Sequence, residues 1–121
     1  MVRGIGNDII EISRIKASIA RHERRFLDKI FTPNEQAYCL RYRDPTPNFA
    51  GFFAAKEAIV KALGTGFRSE ITWLDIEISH DHLGKPEPVL SSRLNAAFCN
   101  PQILISISHC REYATATALL L

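Results

Sequence analysis

The chain has 121 residues, 46% of them hydrophobic and 23% charged, with a formal net charge of +2. That length suits one domain, residues 1–121, with a modest core that self-association would enlarge. So small a net charge makes no case for nucleic acid, and no apolar run approaches the roughly 20 residues a bilayer span needs.

Val2 to Ile10 reads as a first strand, its glycines allowing close backbone approach, and it carries Asp8. Ser13 is placed to cap a helix bearing a basic cluster. From Ser13 to Ile30 there are six basic residues against two acidic ones, a local charge of +4 that leaves −2 for the rest of the chain. One end of the molecule should therefore attract an acidic partner, unless this is only a solvated face.

Thr32-Pro33-Asn34-Glu35 is a helix start with a capping box. That helix should run to about Tyr42, before a loop at Asp44-Pro45-Thr46-Pro47. Asn48 then caps the longest helix, which reaches Leu63 and stops at Gly64 or Gly66. Its apolar residues recur at helical spacing, and Glu57 and Lys61, four apart, leave one face.

The second half alternates as strands do. Leu74, Ile76 and Ile78 mark one strand and Pro88 to Leu90 another, joined by a turn around Gly84. Ser91 or Ser92 caps a helix to about Phe98. Ile103, Ile105 and Ile107 mark the next strand, and Tyr113 to Leu119 the last, with Ala114, Ala116 and Ala118 on one face, small enough for another surface to pack closely. The class is α+β: a mostly antiparallel sheet with a long helix and several shorter ones.

Cys39, Cys99 and Cys110 are odd in number and widely spaced, which suits free thiols in a reducing cytosol. Arg3, then glycines and an Asp, take the place of a signal peptide's apolar run.

Two carboxylates, Asp8 and Glu57, brought together beside lysines would make a place for a hard divalent cation and a phosphate ester. The plainer readings are a turn cap for Asp8 and an exposed ion pair for Glu57 with Lys61. Gly64-Thr65-Gly66 is a helix stop whose backbone can also lie against a ligand. Neither it nor Gly4-Ile5-Gly6 makes a Walker loop or a dinucleotide fingerprint. Ser106 and Ser108 share a strand face opposite His109, so a Ser–His pair is disfavoured. His80 and His82 flank Asp81 in a solvated turn, and Phe52 and Phe53 read as core.

Gly4-Ile5-Gly6-Asn7-Asp8-Ile9-Ile10-Glu11-Ile12-Ser13-Arg14-Ile15 resembles the opening of bacterial holo-[acyl-carrier-protein] synthases. Phe31-Thr32-Pro33-Asn34-Glu35, Phe53-Ala54-Ala55-Lys56-Glu57-Ala58 with Lys61, and Gly64-Thr65-Gly66 are similar to the same family. So are Asp75-Ile76-Glu77-Ile78, Gly84-Lys85-Pro86 and Ser106-Ile107-Ser108-His109. They come in family order over nearly the whole chain, and the paired signals GIGxDIxxIxRI and AAKEAxxKAxGTG are together highly specific.

The resemblance implies a small 4′-phosphopantetheinyl transferase. Such an enzyme uses coenzyme A and Mg²⁺ to modify a serine of apo-acyl carrier protein, releasing adenosine 3′,5′-bisphosphate. It also implies a cytoplasmic homotrimer with sites between subunits, acting in fatty acid biosynthesis. By position, Asp8 and Glu57 would hold Mg²⁺, with Asp8, Glu57 and Lys61 as the catalytic set. Lys61 would lie near the phosphates, Gly64, Thr65 and Gly66 would border the nucleotide, and His109 would lie near it. Arg14, Arg21 and Arg24 would meet the carrier protein. The family often has Arg where this chain has Phe52, and Arg68 is a candidate replacement for the lost charge. A non-catalytic module that binds acidic proteins, and a nucleotide-binding phosphohydrolase, are the rival readings.

Overall fold

The alternation in the last third of the chain becomes two antiparallel strands, β4 (Ile103–His109) and β5 (Tyr113–Leu120), with β1 (Gly4–Glu11) on the far side of β5. The register sets Asp8 opposite Ala116 and Ala116 opposite Ile107. This is from a computed structural model that describes residues 1–67 and 70–121. The helices α1 (Ile12–His22), α2 (Arg24–Ile30), α3 (Pro33–Cys39), α4 (Thr46–Leu63) and α5 (Ser92–Ala97), a 3-10 turn (Trp73–Asp75) and the β2 (Ile76–His80)–β3 (Pro86–Leu90) hairpin complete the α+β architecture.

α4 lies across the inner face of the three-stranded sheet. Ala114, Ala116 and Ala118 are fully buried there, so the alanine face receives the chain's own long helix and not a separate surface. Gly4 and Gly6 make the approach closer still. A Cβ at Gly6 would sit 1.9 Å from the Ala58 carbonyl oxygen, and one at Gly4 2.3 Å from that of Ala62. Backbone on backbone leaves nothing flexible to yield. Gly6→Ala should therefore destabilise the protein by roughly 3 kcal/mol or more, read as a lower urea midpoint.

Local chemistry explains several element ends. Thr32 and Glu35 form the capping box of α3, and Gly64 closes α4 at φ 83°. Other ends differ from expectation. α3 stops at Cys39, not near Tyr42. α4 begins at Thr46, not after Asn48: Pro47 is tolerated in the first turn, and the Asp44 carboxylate accepts the Thr46 N–H at 3.1 Å.

The basic segment starts at Ile12, with no side-chain cap from Glu11, and is two helices broken at Glu23 (φ 48°). Leu74 belongs to the 3-10 turn and is exposed, while Ile76 and Ile78 are buried in β2. β3 begins at Pro86, two residues earlier than expected.

The three cysteines are free thiols. Cys39 is buried, which together with the Glu35 charge pushes its thiol up to about 12, whereas Cys99 and Cys110 are exposed. Among the described residues no helix is long and apolar enough to cross a membrane.

Candidate active site

β1 and α4 each contribute polar residues to a short stretch where they touch. Because Gly4 and Gly6 let the helix down onto the strand, the next inward-facing residue of β1, Asp8, meets the helix side chains one turn apart, Glu57 and Lys61. The Lys61 ammonium donates to Asp8 Oδ1 at 3.1 Å and to the Asn7 carbonyl at 3.0 Å. Asn7 is held by its own side chain, whose amide donates to the Ala116 carbonyl and Thr117 Oγ1. Thr115 Oγ1 donates to the Asp8 carbonyl at 2.9 Å.

Glu57 is half-buried beside this pair. Burial pushes its carboxyl above the usual range, the nearby Asp8 charge pushes it further, and Lys61 opposes both. Two like charges are thus crowded together and only partly compensated. That donor set fits a divalent cation, with the Lys61 ammonium as the stand-in charge. Among the described residues no group of three or more His, Cys, Asp or Glu is placed to hold a metal. Two carboxylates suit Mg²⁺, which keeps waters and takes substrate phosphate oxygens, better than Zn²⁺ or Ca²⁺, which need more protein ligands.

A cleft of 310 Å³ is lined by Ile10, Arg14, Ser18, Arg21, His22 and Phe53 among others. Ile10 lies two residues beyond Asp8 on the same strand face, and Phe53 one helical turn before Glu57; the carboxylates themselves do not line the cleft. Phe53, expected in the core, is half-buried and stacks on Trp73 at 4.8 Å. Arg14 and Arg21 share a stripe of α1. Arg24 does not: it opens α2 and pairs with Asp28 at 3.1 Å.

Gly64, Thr65 and Gly66 follow directly on the Lys61 turn. Among the described residues Thr65 Oγ1 is buried with no hydrogen-bond partner, and Thr65 lines a second cavity of 300 Å³ with Arg93, Leu94 and Phe98. His109 is exposed at the end of β4, in register with Ala114. Among the described residues no hydrogen bond or ion pair joins it to the Asp8 group within the subunit. Ser106 and Ser108 are exposed on the opposite sheet face. His80 is stacked on Tyr38 at 4.0 Å, in an aromatic cluster with Phe52.

Phe52 is buried, about 140° round the helix from Glu57, and so takes no part in the carboxylate group. Arg68 lies outside the described residues. A base that does sit on the Phe52 patch is Arg41, 4.9 Å above the Tyr38 ring.

The profile of the 4′-phosphopantetheinyl transferase superfamily matches residues 4–118. The chain belongs to this superfamily. A holo-[acyl-carrier-protein] synthase of Protochlamydia amoebophila is 58% identical over 118 residues, covering 98% of this chain and 97% of the relative.

The transferase fold is shared with the crystal structure of Helicobacter pylori holo-[acyl-carrier-protein] synthase in complex with coenzyme A. There the TM-score is 0.88 at 37% identity, over 97% of this chain and 99% of that one. The Neisseria meningitidis enzyme gives 0.91 at 32% identity, over 100% and 99%.

Sequence reasoning quoted Glu35 and Lys56 in separate motifs of this transferase but missed that they pair, both fully buried. The available signal was the stripe Phe52, Lys56, Ile59, Leu63, which puts a lysine on the apolar side of α4.

Proposed function

We propose that the chain is a holo-[acyl-carrier-protein] synthase that transfers 4′-phosphopantetheine from coenzyme A to a serine of apo-acyl carrier protein. The observation that carries this reading is the meeting of Asp8, Glu57 and Lys61. The names of the relatives and the coenzyme A bound to the Helicobacter pylori enzyme support the substrate pair.

Asp8 and Glu57 would hold Mg²⁺, which when bound neutralises charge on pyrophosphate oxygens and on the leaving phosphate. Lys61 turns its ammonium toward those phosphates. Thr65 and the flanking Gly64 and Gly66 border the nucleotide. Arg14 and Arg21 receive the acidic carrier. Arg24 joins them only by giving up Asp28. His109, which no hydrogen bond or ion pair among the described residues joins to the Asp8 group, serves the nucleotide of a neighbouring subunit.

The serine oxygen forms a bond to the pantetheine-side phosphorus. The bridging P–O bond breaks, and adenosine 3′,5′-bisphosphate leaves with that oxygen and its electron pair. The serine proton passes to Glu57, directly or through a water. Holding the two substrates in line supplies most of the acceleration.

The outer face of the three-stranded sheet supports the homotrimer. Ile5 and Ile9 are 66% and 63% exposed there, beside Leu104 and Tyr113. A trimer in solution, read by sedimentation, is the assembly this predicts. The free thiols agree with a cytoplasmic enzyme of fatty acid biosynthesis.

Incubation with coenzyme A, Mg²⁺ and apo-carrier protein tests the function. The expected result is a carrier heavier by one phosphopantetheine. An unmodified carrier with hydrolysed coenzyme A would instead mark a phosphohydrolase. No chemistry at all would leave a module that binds acidic proteins.

A further inference from the structure

α4 has ionic residues on two sides. Glu57 and Lys61 face β1. Lys56, about 100° round the helix from Glu57, enters the core and is fully buried. Its ammonium donates to the Ile30 carbonyl at 2.7 Å, Glu35 Oε1 at 2.7 Å and the Trp73 carbonyl at 3.1 Å. All three ammonium hydrogens are thereby used. Glu35 is equally buried. Its Oε1 also accepts the Thr32 N–H at 2.8 Å, and its Oε2 the Ile78 N–H at 2.7 Å. One ion pair thus joins α4 to the end of α2, the start of α3, the 3-10 turn and β2.

A pair buried this deeply adds little stability over apolar residues of the same volume. Its effect is on uniqueness: any rotation of α4 breaks charged hydrogen bonds where water cannot replace them. Gly4 and Gly6 set how far α4 stands from β1, and the apolar packing of Phe49, Phe52 and Ile59 around the helix is non-directional, whereas the charged hydrogen bonds of Lys56 fit one rotation only. A rotation of about 20° moves a side-chain tip about 6 Å from the axis by about 2 Å. Productive geometry at a metal site tolerates about 0.5 Å.

We propose that the buried Glu35–Lys56 pair is the positioning device of the active site, fixing the rotation of α4 so that Glu57 and Lys61 both face Asp8. Neither residue touches substrate. The inference rests on Asp8 and Glu57 forming the cation site.

The test is Mn²⁺ binding to the full chain, followed by loss of the free-ion electron paramagnetic resonance signal. The variants are Lys56→Met, Glu35→Gln and the double Glu35→Leu/Lys56→Met, whose apolar pair leaves no orphan charge. Asp8→Asn is the control. Each folded variant should bind Mn²⁺ about tenfold more weakly. Turnover should fall with it, and the KM for carrier protein should stay within about twofold of wild type.

A merely structural pair would lower the thermal midpoint and leave Mn²⁺ affinity of the folded protein unchanged; that result overturns the proposal. So does a double variant that cannot fold, because the pair is then a requirement of folding and not of one helix's setting. Asp8→Asn separates the two levels. Wild-type Mn²⁺ affinity in that variant removes the cation site itself. Weak binding there with wild-type affinity in Lys56→Met removes only the positioning role.

Discussion

Glu57→Gln should lower the rate of phosphopantetheine transfer by about 10³-fold, the scale of removing one group that stabilises transition-state charge, while making the metal-free protein more stable. The second half follows from the direction of the carboxyl's shift. Burial and the Asp8 charge raise Glu57 above its ordinary 4.5. A carboxyl raised in the folded state favours folding below its unfolded value, and that contribution is lost as pH rises through the folded value. At pH 7 the ionised Glu57 therefore works against the fold, and a neutral amide of the same shape does not. The thermal midpoint of Glu57→Gln without metal should exceed that of wild type at pH 7, and the gap should close in acid below about 4.5. Full turnover in this variant, or a midpoint below wild type at pH 7, would remove Glu57 from its assigned role.

Lys61→Ala should move metal binding and turnover in opposite directions. The Lys61 side chain is half exposed, and its ammonium rests on Asp8 Oδ1 at 3.1 Å. It occupies the carboxylate a cation needs, so its removal should tighten Mn²⁺ binding several-fold in the absence of coenzyme A. The same change removes a positive charge from the transferring phosphates and should lower turnover by about 10²-fold.

A pH profile adds a third sign. Lys61 holds the Glu57 carboxyl down against burial and Asp8, so in the metal-free Lys61→Ala protein the Glu57 carboxyl should titrate at higher pH than in wild type, as read by NMR. Weaker Mn²⁺ binding in Lys61→Ala would show that the ammonium and the cation do not share Asp8.

These effects come from residues that the sequence reveals unevenly. The capping box at Thr32 and Glu35, the Gly64 stop and the alternating isoleucines of β4 follow local rules, and the structure keeps them. The break at Glu23 has no Gly or Pro to mark it. It moves Arg24 onto a second helix, where Asp28 engages it. The alanines of β5 announced close packing but not what would pack: an alanine stripe admits any surface, and here it admits α4. Phe52, where the resemblance led to an expectation of Arg, lies in an aromatic cluster on the far side of α4 from Glu57.

Local sequence was enough for the strand bearing Asp8, the helix bearing Glu57 and Lys61, and the family to which they belong, because alternation, helical spacing and capping act over a few residues. That Asp8 meets Lys61, 53 residues away, depended on how far apart and at what rotation strand and helix pack. The first is set by two glycines whose missing side chains bring backbones together. The second is set by a buried ion pair linking residues 21 apart, and such contacts exist only once the whole chain has closed around them.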